Sequence, residues 1–218
     1  MSHIYVFSPS SAVRDKAAFR RGIARLKALG HEVEVDSAAL ATHMRFAGDD
    51  ETRLAAIHRA AASGADIALI SRGGYGLSRL LPHFRYAHIA RAIEGGQHWV
   101  GLSDFTALQL ALLARTGARS WQGPALGEDF GAEDEPDDIM AACFEDLCEG
   151  RGEGAGWRVP AKAVAALAGS APLRIRNATL WGGTLCMVCS LLGTPYWPDV
   201  RKGVLFLEDV GEHPYRIE

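Results

Sequence analysis

Short apolar runs alternate with amphipathic helical stretches from His3 to Gln122, and this alternation restricts the fold more than any other feature. The run Ala65–Ile70 is almost continuously apolar, which is typical of a strand buried on both faces. Alternating strands and helices predict an α/β fold with a parallel sheet and helices on both faces. The predicted strands are His3–Phe7, His31–Val35, Ala65–Ile70, Trp99–Gly101 and a short one near Arg119–Gln122; the predicted helices are Ala18–Leu29, Asp49–Ala62, Ala87–Ile93 and Phe105–Arg115.

A change of composition then divides the chain. Residues 128–153 are acidic and contain one predicted helix, Pro136–Cys148. Glycines at alternate positions from Gly150 to Gly156 indicate a linker. We therefore predict an N-terminal domain at residues 1–149, a linker region at 150–170, and the start of a β-rich C-terminal domain at 171–218. A strand at Val204–Glu208 belongs to this last part.

Charge and hydropathy argue against two classes of partner. The net charge is −3 and no basic run stands out, so the electrostatic pattern of a nucleic-acid-binding protein is missing. No apolar stretch reaches the roughly 18 residues that a membrane-spanning helix needs. The first residues lack the basic segment that begins a signal peptide. We expect a cytoplasmic protein with no nucleic-acid or membrane partner.

Ser103 follows a predicted strand by way of Gly101 and precedes an amphipathic helix. A serine on such a sharp turn can expose its hydroxyl as a nucleophile, while the helix N-terminus offers free N–H groups to an oxyanion. The alternative is that Ser103 only caps the helix. The segment lacks the glycine expected two residues after a serine of this kind, so both readings stay open.

Two further segments contain residues suited to chemistry. The segment Ser71–Gly76, here called the glycine loop, can bring backbone N–H groups close to an anion, or it can be a plain turn. Within it, Arg72 could hold a carboxylate or could be a surface charge. Glu208 ends a predicted strand, where a carboxylate can orient a catalytic histidine or simply be solvated.

The cysteines and histidines offer less. Cys186 and Cys189 have C-x-x-C spacing, but they lie in an apolar segment that we interpret as a buried helix, and no second ligand pair has suitable spacing. We therefore expect no metal. A serine nucleophile needs a base. His98 lies at the wrong end of its strand, and His213, close to Glu208, is a weak candidate.

Five short motifs occur in a fixed order over nearly the whole chain: Ser71–Gly76, Gly101–Leu108, Gly123–Gly127, Trp181–Leu185 and Leu205–Glu212, the last followed by Pro214–Ile217. In this order they resemble the LD-carboxypeptidases, which comprise the muramoyltetrapeptide carboxypeptidases and their microcin-resistance relatives. The resemblance implies a Ser–Glu–His hydrolase without cofactor, which removes the terminal D-alanine from murein tetrapeptide during cytoplasmic cell-wall recycling. It also makes a homodimer plausible.

Carried over by position, the resemblance makes Ser103 the nucleophile and Glu208 the triad acid. The backbone N–H groups of Gly74 and Asp104 would form the oxyanion hole. The expected substrate-binding residues are Arg72, Gly73, Tyr75, Trp181 and Thr184.

Three departures from the family pattern affect what can be expected. Gln122 and Thr184 stand where the family often has histidine and asparagine, which leaves fine specificity open. The family's catalytic histidine lies well downstream of the acid, whereas this sequence ends at Glu218. We therefore expect an incomplete C-terminal domain and no turnover by these residues alone. Alternatives are a hydrolase of peptide–nucleotide antibiotics and a non-catalytic peptide-binding relative.

Overall fold

A computed structural model describes residues 1–151, 158, 160–166 and 175–218. Its main sheet has five strands in the order β2-β1-β3-β4-β5, and every pair is parallel. The expected α/β fold with a parallel sheet is confirmed. The strands are β1 (His3–Phe7), β2 (Glu32–Val35), β3 (Ile67–Ile70), β4 (His98–Gly101) and β5 (Trp121–Gln122).

Helices connect these strands, and local sequence explains where several begin and end. The side chain of Asp15 accepts hydrogen bonds from the N–H groups of Ala17 and Ala18 at the start of the first helix. Asp49 caps the second helix in the same way, and Gly117 ends the fourth in a left-handed conformation. The helices are α1 (Lys16–Ala28), α2 (Asp50–Ala62), α3 (Tyr86–Glu94), α4 (Thr106–Thr116) and α5 (Asp138–Cys148).

The sheet buries side chains on both faces, as the sequence predicts. Tyr5 and Phe7 belong to one apolar cluster, whereas Ile4 and Val6 belong to another. This alternation follows from the period of two residues in a strand. The first cluster includes residues of α2, α3 and α4, and the second includes residues of α1 and α5.

A smaller sheet follows, made of the parallel strands β6 (Thr179–Thr184) and β7 (Gly203–Glu208). Helix α7 (Leu185–Ser190) connects them, and both α7 and β6 contact α4. The prediction that α7 is buried with its cysteines is wrong. Cys186 and Cys189 are exposed and Val188 alone is buried in this helix, because α7 packs on the apolar cluster through Val188 and turns its cysteines to the surface.

The predicted linker falls largely outside the described residues, at 152–157, 159 and 167–170. Two short helices complete the fold, α6 (Ala161–Ala166) and α8 (Pro214–Ile217). No helix of the described residues combines the length and the apolar character needed to cross a membrane.

Candidate active site

The polar residues singled out in the sequence collect at the carboxyl edge of the main sheet. In open parallel sheets ligands bind at this edge, where the strand order reverses, here between β1 and β3. The glycine loop follows β3 and Ser103 follows β4. Ser8 and Ser71, which directly follow β1 and β3, join the two strand ends through hydroxyl groups 2.6 Å apart.

Ser103 adopts a left-handed backbone conformation with a φ of 59°. It is the first residue of a 3₁₀ turn, Ser103–Phe105, which leads directly into α4. Leu102 occupies the capping position of this turn, and no side chain caps it. The capping interpretation of Ser103 is therefore not supported. A residue other than glycine held in this region is strained, and such strain occurs often at functional sites.

The glycine loop lies directly against Ser103. A Cβ atom added to Gly73 would lie 2.8 Å from the Cβ of Ser103 and 3.1 Å from its Oγ. Gly74 has a φ of 120°, and a Cβ atom there would lie 2.1 Å from the Oγ of Ser11. Only glycine allows both approaches. The loop is thus more than a plain turn, because its backbone at Gly73 packs directly against the side chain of Ser103.

Hydrogen bonds hold this loop in place from two sides. The Oγ of Ser11 accepts a hydrogen bond from the N–H of Tyr75 at 3.1 Å. The carboxyl group of Asp104 accepts one from the N–H of Leu77 at 3.0 Å. Asp104 is buried, and burial raises the pKa of its carboxyl group above the usual value of an aspartic acid.

Glu208, at the end of β7, reaches the end of β5. Its Oε2 accepts a hydrogen bond from the Nε2 of Gln122 at 3.2 Å. The register of the small sheet pairs Glu208 with Thr184, whose N–H donates to the Oγ1 of Thr106 at 3.2 Å. Thr106 is the first residue of α4, so Glu208 and the turn of Ser103 belong to one connected group. Gln122, which departs from the family pattern, contacts the expected triad acid directly.

The buried hydroxyl of Thr184 has no hydrogen-bond partner within the described part of the chain. Its neighbour Gly183 is in close contact with Thr106, because a Cβ atom at Gly183 would lie 2.5 Å from the Oγ1 of Thr106. The end of β6 therefore packs tightly on the start of α4.

The remaining expected substrate-binding residues lie in different surroundings. Arg72 forms an ion pair with Glu128, with 3.4 Å between its Nη2 and the carboxylate Oε1. Tyr75, within the glycine loop, is 66% exposed. Trp181 packs edge-on against Trp197, with 5.3 Å between the ring centres.

No described histidine is hydrogen-bonded to Ser103. His98 accepts a hydrogen bond from the Nε1 of Trp121 at 3.1 Å, on the amino side of its strand as the sequence predicts. His213 stacks on Tyr215, with 5.6 Å between the ring centres. The described residues therefore bring together a serine, a carboxylate and candidate oxyanion donors, and they do not supply the base.

Sequence reasoning missed Ser11 and Thr106 as parts of this site. Both act through partners more than 60 residues away along the chain, Tyr75 and Thr184. The polar run Ser8–Ser11 after β1 was the signal that could have identified Ser11, since strand ends of a parallel sheet share one edge.

Within the described ranges, one cluster has the composition of a metal site: His31, Glu145 and Cys148, with ligand atoms within 4.8 Å of one another. The Nδ1 of His31 accepts a hydrogen bond from the N–H of Ser2 at 3.3 Å. Nε2 therefore holds the ring proton and donates it to Glu145 at 2.8 Å. Both ring nitrogens are engaged, so the cluster fits a tether between α5 and the start of β2 better than a metal centre.

Comparison with known proteins adds to this geometry. The family model described as the LD-carboxypeptidase N-terminal domain matches residues 4–123, and the model of the C-terminal domain matches residues 177–218. A Streptomyces coelicolor protein described as a carboxypeptidase candidate is 32% identical over 100% of this chain and 67% of its own length. A Bacillus subtilis protein, described as a "probable murein peptide carboxypeptidase", is 30% identical over 88% of this chain. The chain spans 58% of the length of the latter.

Solved structures show the same fold. The crystal structure of muramoyltetrapeptide carboxypeptidase from Oxalobacter formigenes has a TM-score of 0.76 and 32% identity, over 99% of this chain and 68% of that one. The microcin C7 self-immunity protein in complex with glutamyl sulfamoyl guanosine has a TM-score of 0.78 at 21% identity, over 99% of this chain and 70% of that one. The second likeness concerns the fold alone.

Proposed function

Because the chain belongs to the LD-carboxypeptidase family, as the matches to both family domains show, we propose that the full-length protein is a serine LD-carboxypeptidase. Its substrate in this proposal is murein tetrapeptide, from which it releases the terminal D-alanine. The observation that carries the proposal is the strained Ser103 at the carboxyl edge of the sheet, pressed against the glycine loop.

In the proposed reaction the Oγ of Ser103 attacks the carbonyl carbon of the bond before D-alanine. A histidine accepts the serine proton, and Glu208 orients that histidine. The N–H groups of Asp104 and Gly74 donate to the oxygen on which negative charge develops. The histidine then gives the proton to the leaving amine, D-alanine departs, and water hydrolyses the acyl-enzyme.

The other positions follow the same proposal. In this proposal Arg72, Gly73, Tyr75, Trp181 and Thr184 contact the peptide. Arg72 would exchange its ion pair with Glu128 for the terminal carboxylate of the peptide. Gln122 would limit the movement of Glu208 through their hydrogen bond. The domain division at residues 1–149, 150–170 and 171–218, a cytoplasmic role in peptidoglycan recycling, and a homodimer are parts of this proposal.

Release of D-alanine from murein tetrapeptide by the full-length protein tests the substrate. We expect release of D-alanine from the tetrapeptide and little release of L-alanine from a matched peptide that ends in L-alanine. Equal release from both peptides, or release from neither, contradicts the proposed specificity.

A hydrolase of peptide–nucleotide conjugates is the second candidate, favoured by the fold shared with the microcin C7 self-immunity protein. The departures at Gln122 and Thr184 leave the fine specificity open between the two candidates. Comparing kcat/KM for a glutamyl sulfamoyl nucleoside with kcat/KM for the tetrapeptide separates the two. Faster cleavage of the conjugate identifies the second function.

We also propose that residues 1–218 alone do not turn over, because no described histidine is bonded to Ser103. Loss of one triad member costs about 10⁴-fold or more in rate. D-alanine release by residues 1–218 at the rate of the full-length protein contradicts this. Such release would also exclude the hypothesis that the chain is a non-catalytic peptide-binding relative.

A further inference from the structure

The two candidate oxyanion donors come from different parts of the chain. The N–H of Gly74 belongs to the loop after β3, and the N–H of Asp104 belongs to the turn after β4. An oxyanion hole works only when its donors are fixed before the reaction, about 2.7–3.1 Å from the place that the oxyanion will occupy. Something must therefore hold the two segments together.

The side chain of Asp104 does this directly. Its carboxyl oxygen Oδ2 accepts a hydrogen bond from the N–H of Leu77, the residue after Gly76 of the glycine loop, at 3.0 Å. Asp104 is only 3% exposed, and Leu77 is buried completely. The bond therefore does not compete with bulk water, and losing it would leave a buried N–H without its partner.

Two further contacts fasten the same loop. The Oγ of Ser11 accepts from the N–H of Tyr75 at 3.1 Å, and Gly73 packs against Ser103. The contact at Ser11 joins the loop to the end of β1, whereas Asp104 is adjacent to the serine in sequence. Among the hydrogen bonds of the described residues, the one to Asp104 links the loop to the backbone segment that also supplies the second donor.

We propose that the Asp104 side chain is a positioning residue for the reaction, a clamp that sets the distance between the Gly74 and Asp104 N–H groups. This inference rests on the proposed function, since it gives a task to the same site. The group acts through Leu77 and does not touch the substrate.

The chain offers graded variants for a test. Asp104→Ala removes the acceptor but leaves the backbone N–H of residue 104 intact. Asp104→Asn keeps an oxygen that can accept from the N–H of Leu77. Asp129→Ala is a matched control, because the Asp129 carboxyl also accepts a backbone N–H, that of Ala125 at 2.7 Å, and burial raises its pKa as well.

The first measurement is steady-state D-alanine release by the full-length protein. We expect Asp104→Ala to lower kcat by about 10²-fold with little change in KM, the effect of a misplacement on the order of 1 Å. Asp104→Asn should recover most of kcat, and Asp129→Ala should keep it. An equal loss of kcat in Asp104→Asn and Asp104→Ala overturns the clamp, as does an unchanged kcat in Asp104→Ala.

The second measurement does not depend on activity. Hydrogen exchange of the peptide that covers residues 72–77 should become faster in Asp104→Ala and stay slow in Asp104→Asn and Asp129→Ala. Unchanged exchange in Asp104→Ala overturns the clamp even if the substrate proposal is right. If exchange is faster in Asp104→Ala but the full-length wild type releases no D-alanine, the result contradicts the proposed function and supports the clamp.

Discussion

At the scale of single residues, Ser103 carries a backbone strain that its surroundings maintain. Its φ of 59° costs a residue other than glycine roughly 1–2 kcal/mol. Gly73 packs closely against Ser103, and the next two residues, Asp104 and Phe105, are buried.

This strain predicts an unusual order of stabilities. We expect Ser103→Gly to be more stable than Ser103→Ala by about 1 kcal/mol, because glycine adopts the left-handed conformation without strain. Urea unfolding of the two variants measures the difference. Ala24→Gly, at an exposed position inside α1, is the control. Here glycine in place of alanine should lower the free energy of unfolding by about 1 kcal/mol, the opposite of its effect at residue 103. The interpretation fails if Ser103→Ala is the more stable of the pair.

Asp36 provides a pH-dependent prediction. Burial alone would raise the pKa of this carboxyl group, but hydrogen bonds from Arg59, Tyr5 and the N–H of Ala38 outweigh burial and hold the pKa below its usual value. A lowered pKa gives stability that is present above the unfolded-state pKa, near 3.9, and is lost as the pH falls through the folded-state pKa. Asp36→Asn should therefore lose about 2 kcal/mol at neutral pH.

The difference between wild type and Asp36→Asn should shrink as the pH falls below about 4, because wild type then loses the contribution of the charged carboxylate. Thermal unfolding over a series of pH values measures it. A difference that stays constant or grows toward acid pH is inconsistent with a charge-stabilised Asp36.

At this scale the sequence was informative where the signal was local. The pattern of Gly101 and Ser103 between a strand and a helix placed the serine on a turn, and the structure has it there. The pattern could not show the positive φ of Ser103, nor that Ser11 holds Tyr75, because those features depend on contacts between distant segments.

At the scale of elements, the small sheet depends on two consecutive glycines of β6. Gly182 has a φ of 129°, and a Cβ atom there would lie 1.9 Å from the carbonyl oxygen of Phe206 in β7. Gly183 makes a similar approach to Thr106 of α4. These contacts set how closely β6 meets its neighbours, and so where β7 places Glu208.

Gly182→Ala should therefore cost at least about 3 kcal/mol, from the backbone clash together with the strained φ. Gly193→Ala is the matched control, since Gly193 also has a positive φ of 72° but a Cβ atom there meets nothing within 4 Å. It should cost about 1 kcal/mol. Denaturant unfolding monitored by tryptophan fluorescence tests both, and equal losses would show that the close approach of β6 and β7 is not what the glycines provide.

Sequence patterns predicted most elements well, and the exceptions have physical reasons. The apolar runs predicted β1, β3 and β4, and the alternating run predicted β2, because the spacing of apolar residues along the chain reflects the two-residue period of a strand. Helix α7 was predicted as buried from its apolar composition, yet its cysteines are exposed. Apolar composition shows what a helix can bury and leaves open which neighbour covers it.

At the scale of the whole molecule, strand order and the small sheet together assemble the site. The order β2-β1-β3-β4-β5 brings the ends of β1, β3, β4 and β5 to one edge, and the β6–β7 pair adds Glu208 beside Gln122. Neither the strand order nor this docking can be read from periodicity, since both are decided by long-range packing. The five motifs of the family resemblance supplied the connection that local reasoning lacked.

The account depends on Ser103 being the nucleophile, and D-alanine release from murein tetrapeptide by full-length Ser103→Ala tests this most directly. Ser190→Ala, at an exposed position of α7, is the matched control. We predict that kcat/KM falls at least about 10⁴-fold in Ser103→Ala and is unchanged in Ser190→Ala. D-alanine release by Ser103→Ala at the wild-type rate would contradict the account.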